Sequence, residues 1–110
     1  MFDFNKTREG WCLTINNEER SLEELSKYIE GLEHFKYAIF QREKGVKKEM
    51  SHIQLFIIFT CKKDFLFIRN YFPKAHIEGA YGKYSQCRDY CSKPEDRIEG
   101  PIELGKFVEG

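Results

Sequence analysis

His52-Ile53-Gln54-Leu55-Phe56-Ile57-Ile58-Phe59 contains no glycine or proline and is dominated by β-branched and aromatic side chains. Bounded by Ser51 and by Thr60-Cys61-Lys62-Lys63, it reads as a buried strand. Successive strand side chains point to opposite faces, so His52 and Gln54 share one face and Ile53 and Leu55 take the other. Packing gives no reason to set an imidazole beside a carboxamide at the entry of an apolar strand. A divalent ion does, because imidazole nitrogen and amide oxygen both ligate one. The plainer alternative is a polar strand end facing water.

Working outward, Phe35 to Phe40 reads as a second strand that runs on to Glu43. The charged loop Lys44 to Ser51, with Gly45 for the turn, joins the two strands as an antiparallel hairpin. That pairing carries Glu43 toward the His52 end. A carboxylate, an amide oxygen and an imidazole make a mostly hard site suited to Mg²⁺ or Mn²⁺, with positions left for water and phosphate. The competing reading of Glu43 is a hairpin-end charge, like Arg42 and Glu49 nearby.

The remaining elements follow from local chemistry. Met1 to Gly10 is polar and reads as a loose arm. Trp11 to Ile15 is a short apolar strand closed by the turn pair Asn16-Asn17. Ser21 and Glu24 form a capping box, and Leu22, Leu25, Ile29 and Leu32 fall on one face of a helix from Leu22 to about Gly31. Asp64 caps a second helix that turns Phe65, Ile68 and Phe72 inward, and Pro73 ends it. Ala75 to Glu78 is a short strand. Lys83 to about Ser92 is a more polar third helix, stopped by Pro94. Gly100 to Phe107 is a last strand, at an edge where Pro101 is tolerated. This order predicts an α+β, ferredoxin-like split β-α-β fold. Its central antiparallel sheet has about five strands, with two helices on one face and the other face free. Such a plan serves many functions and decides none.

With 110 residues the chain is one domain around one core. Its charges balance, at 18 Lys and Arg against 18 Asp and Glu, so binding to nucleic acid has to rest on local clusters rather than on a basic excess. No apolar run is long enough for a bilayer, and the N-terminus does not read as a signal peptide. Cys12, Cys61, Cys87 and Cys91 have no zinc spacing and read as free thiols of a soluble protein in a reducing compartment.

Tyr90 and Lys93 lie three apart at the end of the third helix, a spacing that shares a helical face. A tyrosine attacking a phosphodiester needs a nearby cation to favour the phenolate and offset phosphate charge, and Lys93 serves both ends. Tyr71 and Lys74 have the same spacing, but Pro73 between them breaks the helix. Lys44, Lys47, Lys48, Lys62, Lys63, Lys83 and Arg88 are candidate phosphate contacts. Trp11, Tyr81 and Tyr84 are candidates for stacking on unpaired bases, with core packing the stronger reading of Trp11. His76 and Glu78 share a strand face.

Three segments then align in order. Cys12-Leu13-Thr14-Ile15-Asn16-Asn17, His52-Ile53-Gln54 and Tyr90-Cys91-Ser92-Lys93 resemble the three motifs of the replication-initiator (Rep) proteins of small circular single-stranded DNA viruses, in their circovirus-like and nanovirus-like form. His76-Ile77-Glu78 and Glu99-Gly100-Pro101 are similar to family sequence as well. The resemblance implies an HUH-class endonuclease. In that family Tyr90 would attack a phosphate in an origin stem-loop and become linked to the 5′ phosphate. Glu43, His52 and Gln54 would hold Mg²⁺ or Mn²⁺, and Lys93 would assist. The Cys12 to Asn17 segment, Thr14 and Asn16 among it, would help hold single-stranded DNA. Leu55 stands where the family often has glycine after His-x-Gln, and Pro94 takes Lys93 out of helical geometry. Family proteins also carry a C-terminal helicase through which they oligomerise. No Gly-x-x-x-x-Gly-Lys-Ser/Thr occurs here, so the resemblance implies a single, monomeric N-terminal nicking domain acting in a host nucleus.

Two other classes stand beside this one. A non-catalytic nucleic-acid-binding domain of the same plan would stack bases on strand aromatics such as Phe56 and Tyr37. A structural interaction domain would leave Tyr90 and Lys93 far from His52.

Overall fold

The structure, a computed structural model, describes residues 6–45 and 50–109. The chain forms β1 (Arg8–Asn16), α1 (Leu22–Glu30), β2 (Phe35–Lys44), β3 (Ser51–Lys63), α2 (Phe65–Tyr71), β4 (Ala75–Gly79), α3 (Tyr84–Tyr90) and β5 (Arg97–Gly105). All pairings are antiparallel and the strand order is β4-β1-β3-β2-β5. This is the expected α+β split β-α-β arrangement, with β5 added beside β2.

The stretch from His52 to Phe59 lies at the centre of the sheet, which is why it is apolar on both faces. Ile53, Leu55, Ile57 and Phe59 face the layer of α1 and α2, together with Trp11, Leu13, Ala38, Phe40 and Ile77. Truncating one of these buried aliphatics to alanine costs about 2–5 kcal/mol. The helices on that side start where the sequence says. Ser21 Oγ accepts from Glu24 N at 3.1 Å and Glu24 Oε1 accepts from Ser21 N at 3.0 Å, closing the capping box. Asp64 Oδ1 accepts from Phe67 N at 2.8 Å and starts α2.

Four expectations need correction. Arg8 to Gly10 belong to β1 and not to a loose arm, because β1 pairs with a β3 that runs on to Lys63; Met1 to Asn5 lie outside the described residues. The hydrogen-bonding demand of that ladder outweighs the polarity of Arg8 and Glu9. Next, the face opposite α1 and α2 is not free. Helix α3 packs on it through Tyr84, Cys87 and Cys91, over Tyr37, Ile39, Phe56 and Ile58. Finally, α3 ends at Tyr90 and Cys91 is its C-cap, so Lys93 lies in the turn beyond the helix. The last strand is also displaced: it begins at Arg97 and ends at Gly105. Its Gly100-Pro101 step falls at a register shift against β2, where an edge strand needs no donor.

Candidate active site

Strand alternation and register assemble the site on the α3 side of the sheet. Glu43 on β2 lies directly opposite His52 on β3, and Gln41 lies opposite Gln54. Two residues in from His52 along β3, Gln54 is also opposite Thr14 of β1, which is opposite His76 of β4. One row of the sheet therefore reads His76, Thr14, Gln54, Gln41, and the next reads Asn16, His52, Glu43, Arg97.

Glu43 is 2% exposed and both of its oxygens are engaged. Oε1 lies 3.0 Å from His52 Nε2. Oε2 accepts from Gln41 Nε2 at 2.7 Å and from Lys93 Nζ at 2.7 Å. Burial alone pushes the Glu43 carboxyl up. Hydrogen bonds from Lys93, Gln41 and His52, with the Lys93 charge, outweigh burial and hold it below the ordinary carboxylate value. Gln41 was not singled out in the sequence. It is 0% exposed, and its amide also donates to the Lys93 carbonyl at 2.8 Å, so it ties the turn after α3 to the carboxylate. A polar residue in the apolar run of β2, in phase with Glu43, was the available signal.

The Lys93 ammonium also sits 4.8 Å from the centre of the Tyr90 ring, in cation–π range. Tyr90 is 56% exposed and faces a cleft of about 470 Å³ between α3 and the sheet. Thr14, Gln54, His76, Glu78 and Tyr81 line the same cleft. The structure thus brings Tyr90, Lys93, Glu43, His52 and Gln54 to one locality, although three elements and a turn supply them. Tyr90 and Lys93 meet through the turn at Cys91 and Ser92, not through helical spacing.

The donor set fits a hard divalent ion. Adjacent ligands of an octahedral ion at ~2.1 Å stand about 3 Å apart, and His52 Nε2 and Glu43 Oε1 are already 3.0 Å apart. Gln54 Nε2 donates to the Leu13 carbonyl at 3.2 Å, fixing the amide, and Oε1 accepts from Thr14 Oγ1 at 3.2 Å with a second acceptor position left over. Lys93 places a cation against the same carboxylate. Among the described residues no three of His, Cys, Asp and Glu converge on one metal position, so the set depends on the amide oxygen of Gln54.

Comparison with known proteins now gives a family. Residues 8–94 match the family described as "Putative viral replication protein". The chain belongs to this viral replication protein family. It is 34% identical over 97 residues to a master replication protein of Banana bunchy top virus, with 88% of this chain and 31% of the relative covered. It is 33% identical over 100 residues to the corresponding protein of Milk vetch dwarf virus, covering 89% of this chain and 32% of the relative. A replication-associated protein of Canary circovirus is 33% identical over 101 residues, covering 91% and 33%. The chain spans about a third of the length of these curated relatives.

The candidate DNA contacts of this viral replication protein fare differently from one another. Trp11 is 2% exposed on the helix side of the sheet, its indole donating to the Arg8 carbonyl at 3.0 Å, so it is a core residue and not a stacking surface. Tyr84 packs against Phe56 with ring centres 5.2 Å apart, leaving exposed Tyr81 as the stacking candidate at the cleft. Thr14 lines the cleft, and Asn16 is exposed beside His52 in register. Lys83 is exposed at the N-cap of α3. Arg88 is committed to an ion pair with Glu103 at 2.7 Å. Lys47 and Lys48 lie outside the described residues. All four cysteines are free, and burial raises the thiol pKa of Cys12, Cys87 and Cys91, which makes them poor nucleophiles beside Tyr90.

Proposed function

We propose that this domain nicks and rejoins single-stranded DNA at a viral replication origin, with Tyr90 as nucleophile. The observation that carries the reading is that Lys93 joins Tyr90 to the Glu43–His52 pair while Tyr90 and Gln54 line one cleft. The Tyr90 hydroxyl forms a bond to phosphorus, the bond from phosphorus to the 3′ oxygen breaks, and that oxygen leaves as a hydroxyl after taking up a proton. The 5′ phosphate stays on Tyr90. One phosphodiester replaces another, so the step reverses without ATP. Glu43, His52 and Gln54 are suited to hold Mn²⁺ or Mg²⁺, which when bound would polarise the phosphate. Lys93 offsets charge beside the Tyr90 ring, and Gln41 holds Lys93 and Glu43 together. In this reading Thr14, Asn16, Tyr81 and Lys83 contact a strand that enters the cleft. The partner in this reading is an origin stem-loop in a host nucleus, and oligomerisation belongs to the remainder of the longer relatives.

The test is denaturing electrophoresis of a labelled origin-loop oligonucleotide incubated with the domain and Mn²⁺. A cleaved product and a band carrying the mass of the protein are expected, both lost with EDTA and with Tyr90→Phe. Cleavage by Tyr90→Phe at the wild-type rate would remove Tyr90 as nucleophile. The binding-module alternative is disfavoured by burial: its stacking candidates Phe56 and Tyr37 are both 0% exposed beneath α3.

A further inference from the structure

Helix α3 has no side-chain hydrogen bond from its own N-cap residue. It has seven residues, too few to be stable alone. Its N-cap residue, Lys83, offers no side-chain acceptor and sets a positive charge at the positive end of the helix. Gln86 Oε1 returns to Lys83 N at 3.2 Å, which leaves the amides of Tyr84 and Ser85 to find partners elsewhere. They find Glu109. Tyr84 N donates to Glu109 Oε2 at 2.7 Å and Ser85 N donates to Oε1 at 3.0 Å. The cap is supplied from 25 residues downstream.

The same segment grips the helix a second time. Phe107 packs into the cluster beneath α3, edge-on to Tyr37 with ring centres 5.3 Å apart. The Arg88 guanidinium lies 4.7 Å over the Phe107 ring and donates from Nε to Glu103 Oε2 at 2.7 Å. Glu103 also accepts from the Tyr37 hydroxyl. The helix is therefore clamped at its start by Glu109 and along its length by Phe107 and Glu103. Its last residue is Tyr90.

We infer that Phe107 and Glu109 are positioning residues for Tyr90: the segment that follows β5 completes α3 and sets the hydroxyl against the Glu43–His52–Gln54 site. This rests on the proposed role of Tyr90 as nucleophile. Misplacing a reacting group by ~1 Å can cost on the order of 100-fold in rate, so a helix freed at its N-terminus should nick slowly while binding DNA normally. The rate then depends on the conformation of the chain immediately after the sheet.

The experiment pairs amide hydrogen exchange with single-turnover nicking for wild type, Glu109→Ala, Glu109→Gln and Phe107→Ala. Glu109→Ala should speed exchange of the α3 amides about tenfold, the size of a lost cap, with β1 to β3 unchanged. Its nicking rate at saturating DNA should fall about tenfold or more at unaltered DNA affinity. Glu109→Gln, which keeps an acceptor, should recover part of both. Phe107→Ala should loosen α3 in the same way, with sheet amides reporting that the fold is intact. Wild-type exchange of α3 in both Ala variants would overturn the inference, as would a loss confined to DNA affinity. A wild-type domain that does not nick counts against the proposed function, and α3 exchange then decides the clamp on its own.

Discussion

Lys93 Nζ lies 2.7 Å from Glu43 Oε2, joining the turn after α3 to a carboxylate buried on β2. The two residues are 50 positions apart, and Lys93 engages Oε2 while Oε1 faces His52. Lys93 is about a quarter exposed while Glu43 is enclosed, so the carboxylate depends on the ammonium more than the reverse.

Lys93→Met should therefore destabilise the metal-free domain. Removing one partner of a fully buried pair costs about 3–5 kcal/mol, and partial access of water to Lys93 reduces this to roughly 1–2 kcal/mol. Urea denaturation in EDTA measures the loss. In a double-mutant cycle with Glu43→Gln, most of the penalty should disappear. Purely additive losses would mean that the contact has no energetic content.

Mn²⁺ should raise the melting temperature of the wild-type domain and leave His52→Ala unmoved. Ligand at 100 times its Kd stabilises by about 2.7 kcal/mol, a shift of several degrees for a chain of this size. His52 is an edge-of-core residue, so the variant should melt near wild type in EDTA. Equal Mn²⁺ shifts for both proteins would take His52 out of the ligand set.

The Arg88 and Tyr37 contacts hold the Glu103 carboxyl below its ordinary value. A carboxylate depressed in the folded state contributes stability above its unfolded pKa and loses it as pH falls through the folded value. Glu103→Gln should thus be less stable than wild type at pH 7, and the difference should close as pH falls through and below the ordinary carboxylate range. The Glu103 side chain is 36% exposed, so screening keeps the effect to about 1 kcal/mol or less. Denaturation midpoints compared at neutral and acid pH provide the check; a gap that persists in acid would assign the loss to packing.

Gly10 is where β1 meets the Tyr84 ring. A Cβ built there would come within 2.8 Å of Tyr84 Cε1 and 2.9 Å of its hydroxyl. Gly10→Ala should push the ring away and cost about 1–3 kcal/mol by overpacking. The near-ultraviolet circular dichroism should change with it. A variant with wild-type stability and spectrum would mean that Tyr84 moves aside freely.

The order of elements was legible because each carries its own local signal. Ser21 and Glu24, Asp64 and Pro73 mark helix ends by backbone chemistry alone, and β3 declares itself by composition, whereas Pro94 lies beyond the end of α3. Glu43 could be placed beside His52 from hairpin pairing. Gln41 was hidden, because a glutamine in a strand has no local signature and matters only through Glu43 and the Lys93 carbonyl. Trp11 shows the opposite limit: aromatic character fits both a core and a stacking surface, and only strand phase against β3 and β4 assigns it to the core.

By itself the sequence determined the α+β order, the starts of α1 and α2, the central strand and the family, because these rest on short-range periodicity, capping and motif chemistry. Tertiary structure alone decided that α3 covers the sheet face and that Lys93 reaches Glu43 through a turn. It also decided that Glu109 caps a helix 25 residues upstream. Such contacts arise from the register of five strands and the closure of β5, and no local stretch of the chain encodes where those bring distant side chains.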